Sequence, residues 1–127
     1  MRLEDDLADY LYACATNALA SMPPPQFSPD VALTVVMASR GYPGTPEKGN
    51  VITGLDEAAA LPGVTVFHAG TQARGNDTVA VGGRVLNITA LGRDVAEAKA
   101  RAYDAVEKIH WEGAFHRSDI GWRALNR

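Results

Sequence analysis

Apolar residues recur at Leu3, Leu7, Leu11, Cys14 and Ala18, a spacing of one face of a helix, and this predicts an amphipathic helix over 4–21. Glu4, Asp5 and Asp6 fall in its first turn, where the helix dipole favours negative charge. The pattern stops at MPPPQFSPD (22–30), because proline has no amide donor and keeps the preceding residue out of the helical region. This stretch reads as a linker and not a domain boundary, since the chain before it is too short to enclose a core. Beyond it, VALTVVMAS (31–39) is rich in β-branched residues and predicts a strand. DEAAALPG (56–63) predicts one helical turn, VTVFHAG (64–70) a second strand, and TVAVGGRVLNITAL (78–91) two strands around Gly82-Gly83. That dipeptide suits the positive φ values of a tight hairpin turn, and RGND (74–77) is a further turn signal.

The last periodic stretch carries Val95, Ala98, Ala102, Val106 and Ile109 on one face, a helix from 95 to about 112. Asp94 is placed to cap it and Glu97 to close a capping box. The later strands are joined by turns too short for parallel crossovers, so they form an antiparallel sheet. The predicted architecture is α+β, with about four strands and helices flanking the sheet.

A chain of 127 residues makes one domain and can bury roughly two-thirds of its unfolded surface. With 21% charged residues and a net charge of -3, it lacks the basic face that nucleic acid binding needs. No apolar run is long enough to span a membrane. The acidic opening MRLEDDLADYL does not read as a signal peptide. Cys14 is the only cysteine, which excludes an internal disulfide and fits a reducing cytoplasm. On the apolar side of its helix, it reads as a small core residue, with a catalytic thiol as the alternative.

SRGYPGTPEKGNV (39–51) raises the question of a phosphate-binding loop. Gly44 and Gly49 stand at the separation of a P-loop, but Lys48 precedes the second glycine and no Ser or Thr follows for magnesium. Pro46 also removes an amide from the cradle. What remains is a glycine-rich turn off a strand end, carrying Tyr42 and Lys48, that either touches an anion or is a plain surface loop. His68, His110 and His116 show no close metal-ligand spacing. His68 lies in an apolar strand and reads first as a hydrogen-bonded core histidine, and second as a polar group facing a cleft. In RSDIGWRAL (117–125), Arg117, Asp119 and Arg123 form either a salt-bridged turn or an arginine clamp for an anion.

Four segments then carry a resemblance. GYPG followed by KG and VITGLDEA, then VFHAGT, then GGRVLNITALG, then AYDAVEKIHWEGAFHRSDIGWRAL resemble, in this order, the C-terminal domain of phosphoribosylamine–glycine ligases. The resemblance runs over about 1–125, and RLEDDLADYL is similar to the stretch that leads that family out of its ATP-grasp domain. It implies a cytoplasmic enzyme of purine synthesis that joins glycine to 5-phosphoribosylamine with ATP and magnesium, through a glycyl phosphate. It also implies the C-terminal lobe fold of ATP-grasp enzymes, an antiparallel sheet with flanking helices of the rudimentary single hybrid motif type.

The family's nucleotide-binding lysine, adenine-binding strand, magnesium carboxylates and GDPE-type motif belong before Met1. ATP and magnesium are therefore expected on lobes outside this chain, which reads as an inactive fragment with neither catalytic nor metal-ligating residues. Within 1–127, the expected parts are a leading helix (1–22), a proline-rich linker (23–30) and the sheet with its C-terminal helix (31–127). The resemblance makes Tyr42, Gly44, Lys48, Gly49, His68 and Arg123 candidates for phosphoribosylamine binding. The expected partners are the ATP-grasp lobes of the same protein and this substrate, with no nucleic acid and no membrane. Pro46 and Arg40 depart from the residues the family usually has there, which bears on the contacts of the loop. The alternatives are a free-standing small-molecule-binding or regulatory module and a purely structural lobe.

Overall fold

The computed structural model describes residues 1–126. They fall into two compact units, Met1–Asp30 and Val31 onward.

In the first unit α1 spans Leu7–Ala15, with Asp6 as its cap: the Asp6 carboxylate accepts from the Ala8 amide at 2.8 Å. The helix stops short of the predicted 21 because Asn17 turns left-handed, at φ 56, a conformation asparagine tolerates at a helix end. A short 3-10 turn, Leu19–Ser21, follows. The proline-rich stretch folds back on the chain start, where the Glu4 amide donates to the Gln26 carbonyl at 3.0 Å and the Ser28 amide to the Arg2 carbonyl at 2.7 Å. Leu7, Leu11 and Cys14 are exposed, so Cys14 is not the core residue its spacing suggested. A unit this small lacks the chain to cover an apolar stripe of its own.

In the second unit the strands are β1 (Val31–Ser39), β2 (Val51–Ile52), β3 (Val64–His68), β4 (Thr71–Arg74), β5 (Asp77–Ala80), β6 (Arg84–Gly92) and β7 (Ala114–His116). The helices are α2 (Leu55–Ala59), α3 (Val95–Val106) and α4 (Trp122–Leu125). Two antiparallel sheets result, one in the order β3-β6-β1-β7 and one in the order β2-β5-β4. The α+β class is as expected, with the strands divided between two sheets.

Alternation along β1 sends Leu33, Val35 and Met37 into the core and leaves Thr34 and Val36 on the other face. Ala98, Ala102, Ala105 and Val106 bury the inner stripe of α3. Small residues let the helix lie close to the sheet: a Cβ on Gly92 would stand 2.4 Å from the Ala98 nitrogen. Asp94 caps α3 by accepting from the Glu97 amide at 2.8 Å. The Glu97 carboxylate reaches one residue further than a capping box requires, taking the Arg93 amide at 2.8 Å and the Arg101 guanidinium at 2.8 Å. The Arg93 amide and guanidinium hold this carboxyl below its ordinary range.

The helix ends at Val106, not near 112, because the backbone of His110 pairs with Thr53 in both directions, at 2.9 and 3.1 Å. Ile109 is still buried, but in the turn beyond the helix, where its amide donates to the Val106 carbonyl at 3.1 Å.

Gly82-Gly83 does not turn a hairpin. The strands on either side of it, β5 and β6, belong to different sheets, and neither glycine adopts a left-handed φ. The hairpin lies one signal earlier, at RGND, where Gly75 has φ 62 and β4 pairs with β5. Gly82 is instead required by a chain crossing: a Cβ on it would meet the Gly70 Cα at 2.9 Å, and one on Gly70 would meet the Gly82 Cα at 2.7 Å. The sequence pattern also left out β2, β4 and β7, since short or polar strands carry too few residues to show a period.

Candidate functional site

The face of the four-stranded sheet that carries Thr34 and Val36 holds a cleft of about 400 Å³. Thr34, Val36 and Ala38 of β1 form its floor, and Phe115 and Ile120 stand beside them. Tyr42 and Pro43 make one wall, and Arg84 and Arg117 also line the space.

A β-bulge places Arg84 there. Val36 pairs with Asn87 and Met37 with Leu86, but Ala38 pairs with Arg84, so Val85 is skipped. The extra residue lets Val85 and Leu86 both be buried and brings exposed Arg84 beside Ala38. On the opposite side Ala38 pairs with Phe115. Phe115 and Arg117, two positions apart, both reach the cleft.

The glycine-rich loop supplies Tyr42. Gly41 is left-handed at φ 90, and the Thr45 carbonyl occupies the place of its missing Cβ, 2.2 Å away. Gly83 receives the Tyr42 ring: a Cβ there would lie 2.5 Å from the ring's Cδ2. Three of the loop's amides are already engaged, Tyr42 with the Ser39 carbonyl at 3.1 Å, Glu47 with that of Arg40 at 2.9 Å and Gly49 with that of Ala80 at 2.6 Å. Amides bound to backbone carbonyls cannot cradle a phosphate, which agrees with the failed P-loop spacing.

Arg117 is held by Asp119 in a two-pronged pair, Nε at 2.8 Å and Nη2 at 2.7 Å. This pair lowers the Asp119 carboxyl from its ordinary range and raises the Arg117 guanidinium. The Tyr103 hydroxyl pins the same turn, donating to the Arg117 carbonyl at 2.6 Å and accepting from the Ile120 amide at 3.2 Å.

Of the six candidates, only Tyr42 lines this cleft. Gly44 lies in the exposed tip of the loop. Lys48 is exposed on its returning leg, outside the cleft. Gly49, at φ 91, ties that leg down, its carbonyl accepting from Arg74 at 3.1 Å. His68 is exposed at the end of edge strand β3, with Nδ1 2.9 Å from the Thr71 hydroxyl. It is therefore not a core histidine, because the edge of a sheet leaves a strand end uncovered. Arg123 lies against the Trp122 ring at 5.4 Å and lines a second, shallower cleft with Arg117. The salt-bridged turn thus contains Arg117 and Asp119 without Arg123. Sequence reasoning passed over Arg84 and Phe115, although the alternation in AFHR already put Phe115 and Arg117 on one face. Among the described residues, no group of three or more His, Cys, Asp or Glu could hold a metal ion.

A family model described as phosphoribosylglycinamide synthetase, C domain, matches residues 32–123. The chain is 54% identical over 127 residues to a phosphoribosylamine–glycine ligase of Rhizobium meliloti, covering 100% of this chain and 29% of that protein. A chloroplastic phosphoribosylamine–glycine ligase of Arabidopsis thaliana is 54% identical over 130 residues, with coverages of 100% and 24%. The crystal structure of a phosphoribosylamine–glycine ligase from Thermotoga maritima superposes with a TM-score of 0.68 at 31% identity, over 91% of this chain and 28% of that one. The chain thus spans less than a third of the length of these relatives.

Proposed function

The chain belongs to the phosphoribosylglycinamide synthetase C-domain family, and we propose on that premise that it is the C-terminal lobe of a ligase. That ligase joins glycine to 5-phosphoribosylamine with ATP and gives glycinamide ribonucleotide for purine synthesis. The observation that carries the reading is the identity of 54% along the whole chain to a protein of that name.

The lobe's part is to wall the phosphoribosylamine site and to pack on the ATP-grasp lobes. Val36, Tyr42, Phe67 and Phe115 are all exposed large apolar or aromatic residues of the second unit, the kind of surface that covered interfaces use. A lobe closed over the reacting centre keeps water from an activated acyl group. Magnesium and ATP supply that activation when bound, and the lobes proposed to hold them are the ATP-grasp lobes, where the family resemblance puts their ligands. Tyr42, Gly44, Lys48 and Gly49, with His68 and Arg123, are the residues proposed on the substrate side. The cytoplasm is the proposed compartment, a reducing one that suits the exposed free thiol of Cys14.

The test is a chimaera in which this chain replaces the matching segment of the Rhizobium meliloti ligase. Phosphate release that requires both glycine and phosphoribosylamine is the expected result. A chimaera that folds and does not turn over would overturn the proposal. The isolated chain should show no micromolar binding of Mg-ATP by calorimetry, and a clear micromolar signal would sink the assignment of the nucleotide to other lobes.

A further inference from the structure

The cleft on the outer sheet face contains two guanidinium groups that none of the candidate residues accounts for. Arg84 is exposed and has no ion-pair partner among the described residues. Arg117 gives Nε and Nη2 to Asp119, which leaves Nη1 without a partner among the described residues and fixes the plane of the fork. Two guanidinium groups and one carboxylate leave the cleft with an uncompensated positive charge. The remaining lining is apolar or aromatic: Val36, Ala38, Pro43, Phe115 and Ile120, with the ring of Tyr42. Small-molecule sites have this composition, mostly apolar walls with a few placed polar groups, and a volume of about 300–1,000 Å³.

We propose that Arg84 and Arg117 hold the phosphate group of a sugar phosphate in this cleft, with the sugar lying against Tyr42 and Phe115. Arginine suits this task because its planar fork matches phosphate oxygens two at a time. Three features of the fold prepare the site. The bulge opposite Met37 and Ala38 brings Arg84 to the cleft, Asp119 orients Arg117, and Gly83 leaves room for the Tyr42 ring. The proposal rests on the ligase reading for the identity of the sugar phosphate, and it places the phosphate away from Lys48 and Arg123, neither of which lines the cleft.

The test is a titration of the isotope-labelled 127-residue chain with ribose 5-phosphate, inorganic phosphate and ribose, read from the arginine Nε–H resonances. Ribose 5-phosphate should give saturable shifts at Arg84 and Arg117 with a Kd on the order of 1 mM, inorganic phosphate weaker ones, and ribose none. Arg84→Met and Arg117→Met should each weaken binding by about tenfold or more. Arg93→Gln, on a side chain 85% exposed at the start of α3, should leave it unchanged. The amide spectrum of each variant reports whether it has folded, and Arg117→Lys is the second variant should the methionine change disturb the turn.

Absence of saturable shifts up to roughly 20 mM, or equal binding by folded Arg84→Met and Arg117→Met, would overturn the proposal. The ligase reading fails separately. A folded but inactive chimaera with an intact cleft titration removes the ligase and keeps the site. An active chimaera whose phosphoribosylamine KM ignores both methionine changes removes the site and keeps the ligase.

Discussion

Replacing Gly82 with alanine tests why the GG pair is needed. If the glycines turned a hairpin by positive φ, Gly82 would be needed for its backbone freedom. The structure assigns them a different need. The chain leaving β3 crosses the chain entering β6, and the Val81 and Gly82 amides donate to the Gly70 carbonyl at 2.8 and 3.1 Å. A Cβ on Gly82 would lie 2.9 Å from the Gly70 Cα and 3.3 Å from the Arg84 carbonyl. Both neighbours are backbone and cannot rotate away, so the strand must shift. Such overpacking costs about 1–3 kcal/mol, while the stiffer unfolded chain returns about 0.4–1 kcal/mol. The net expectation is a loss of about 1–2 kcal/mol and several degrees in Tm.

Gly70→Ala should cost at least as much, since its Cβ would stand 2.6 Å from the Arg84 carbonyl. Gly75→Ala has nothing within 4 Å and φ 62, so its cost comes from the left-handed backbone alone, and Gly75→Asn should recover part of it. Urea unfolding followed by tryptophan fluorescence reads this series, because Trp111 and Trp122 both lie in the second unit. A neutral or stabilised Gly82→Ala would refute the crossing argument.

Three further outcomes follow from particular contacts. Asp94→Ala removes the acceptor of the Glu97 amide and should cost about 1 kcal/mol, measured by urea titration, with Asp94→Asn losing much less. Glu97 and Asp119 have carboxyls lowered in the folded state; their stabilisation is present above the ordinary carboxylate range and is lost as pH falls through the lower folded values. Unfolding midpoints that fall on acidification from neutral toward strongly acid pH, with a smaller fall in Glu97→Gln and Asp119→Asn, check that sign. Lys48→Ala in the chimaeric ligase should weaken turnover with phosphoribosylamine by about 1.5–3 kcal/mol if its ammonium meets the acyl phosphate. A change under about 0.5 kcal/mol would leave Lys48 an ornament of a surface turn.

The local code of this chain determined a good deal of its structure. The β-branched run 31–39 had to be a strand, Asp94 had to start a helix, and the positions Ala98, Ala102 and Val106 had to face a core, because these choices depend on neighbours within one or two turns. The resemblance carried by GYPG, VFHAGT and GGRVL was likewise visible in the letters alone, as was the failure of the P-loop spacing. Other features depended on residues distant in sequence. Whether β5 pairs with β6 or crosses to another sheet is decided by the approach of Gly70 to Gly82, which no local period encodes. The end of α3 was decided by the pairing of His110 with Thr53, and the exposure of Leu7, Leu11 and Cys14 by the small size of the unit that carries them. The cleft depends on the same kind of information. Arg84, Tyr42 and Arg117 come together because one bulge, one close-packed glycine and one short edge strand place them on the same sheet face. Sequence spacing reports contacts along an element, and a site built across four separate segments exists only once tertiary packing has brought them together.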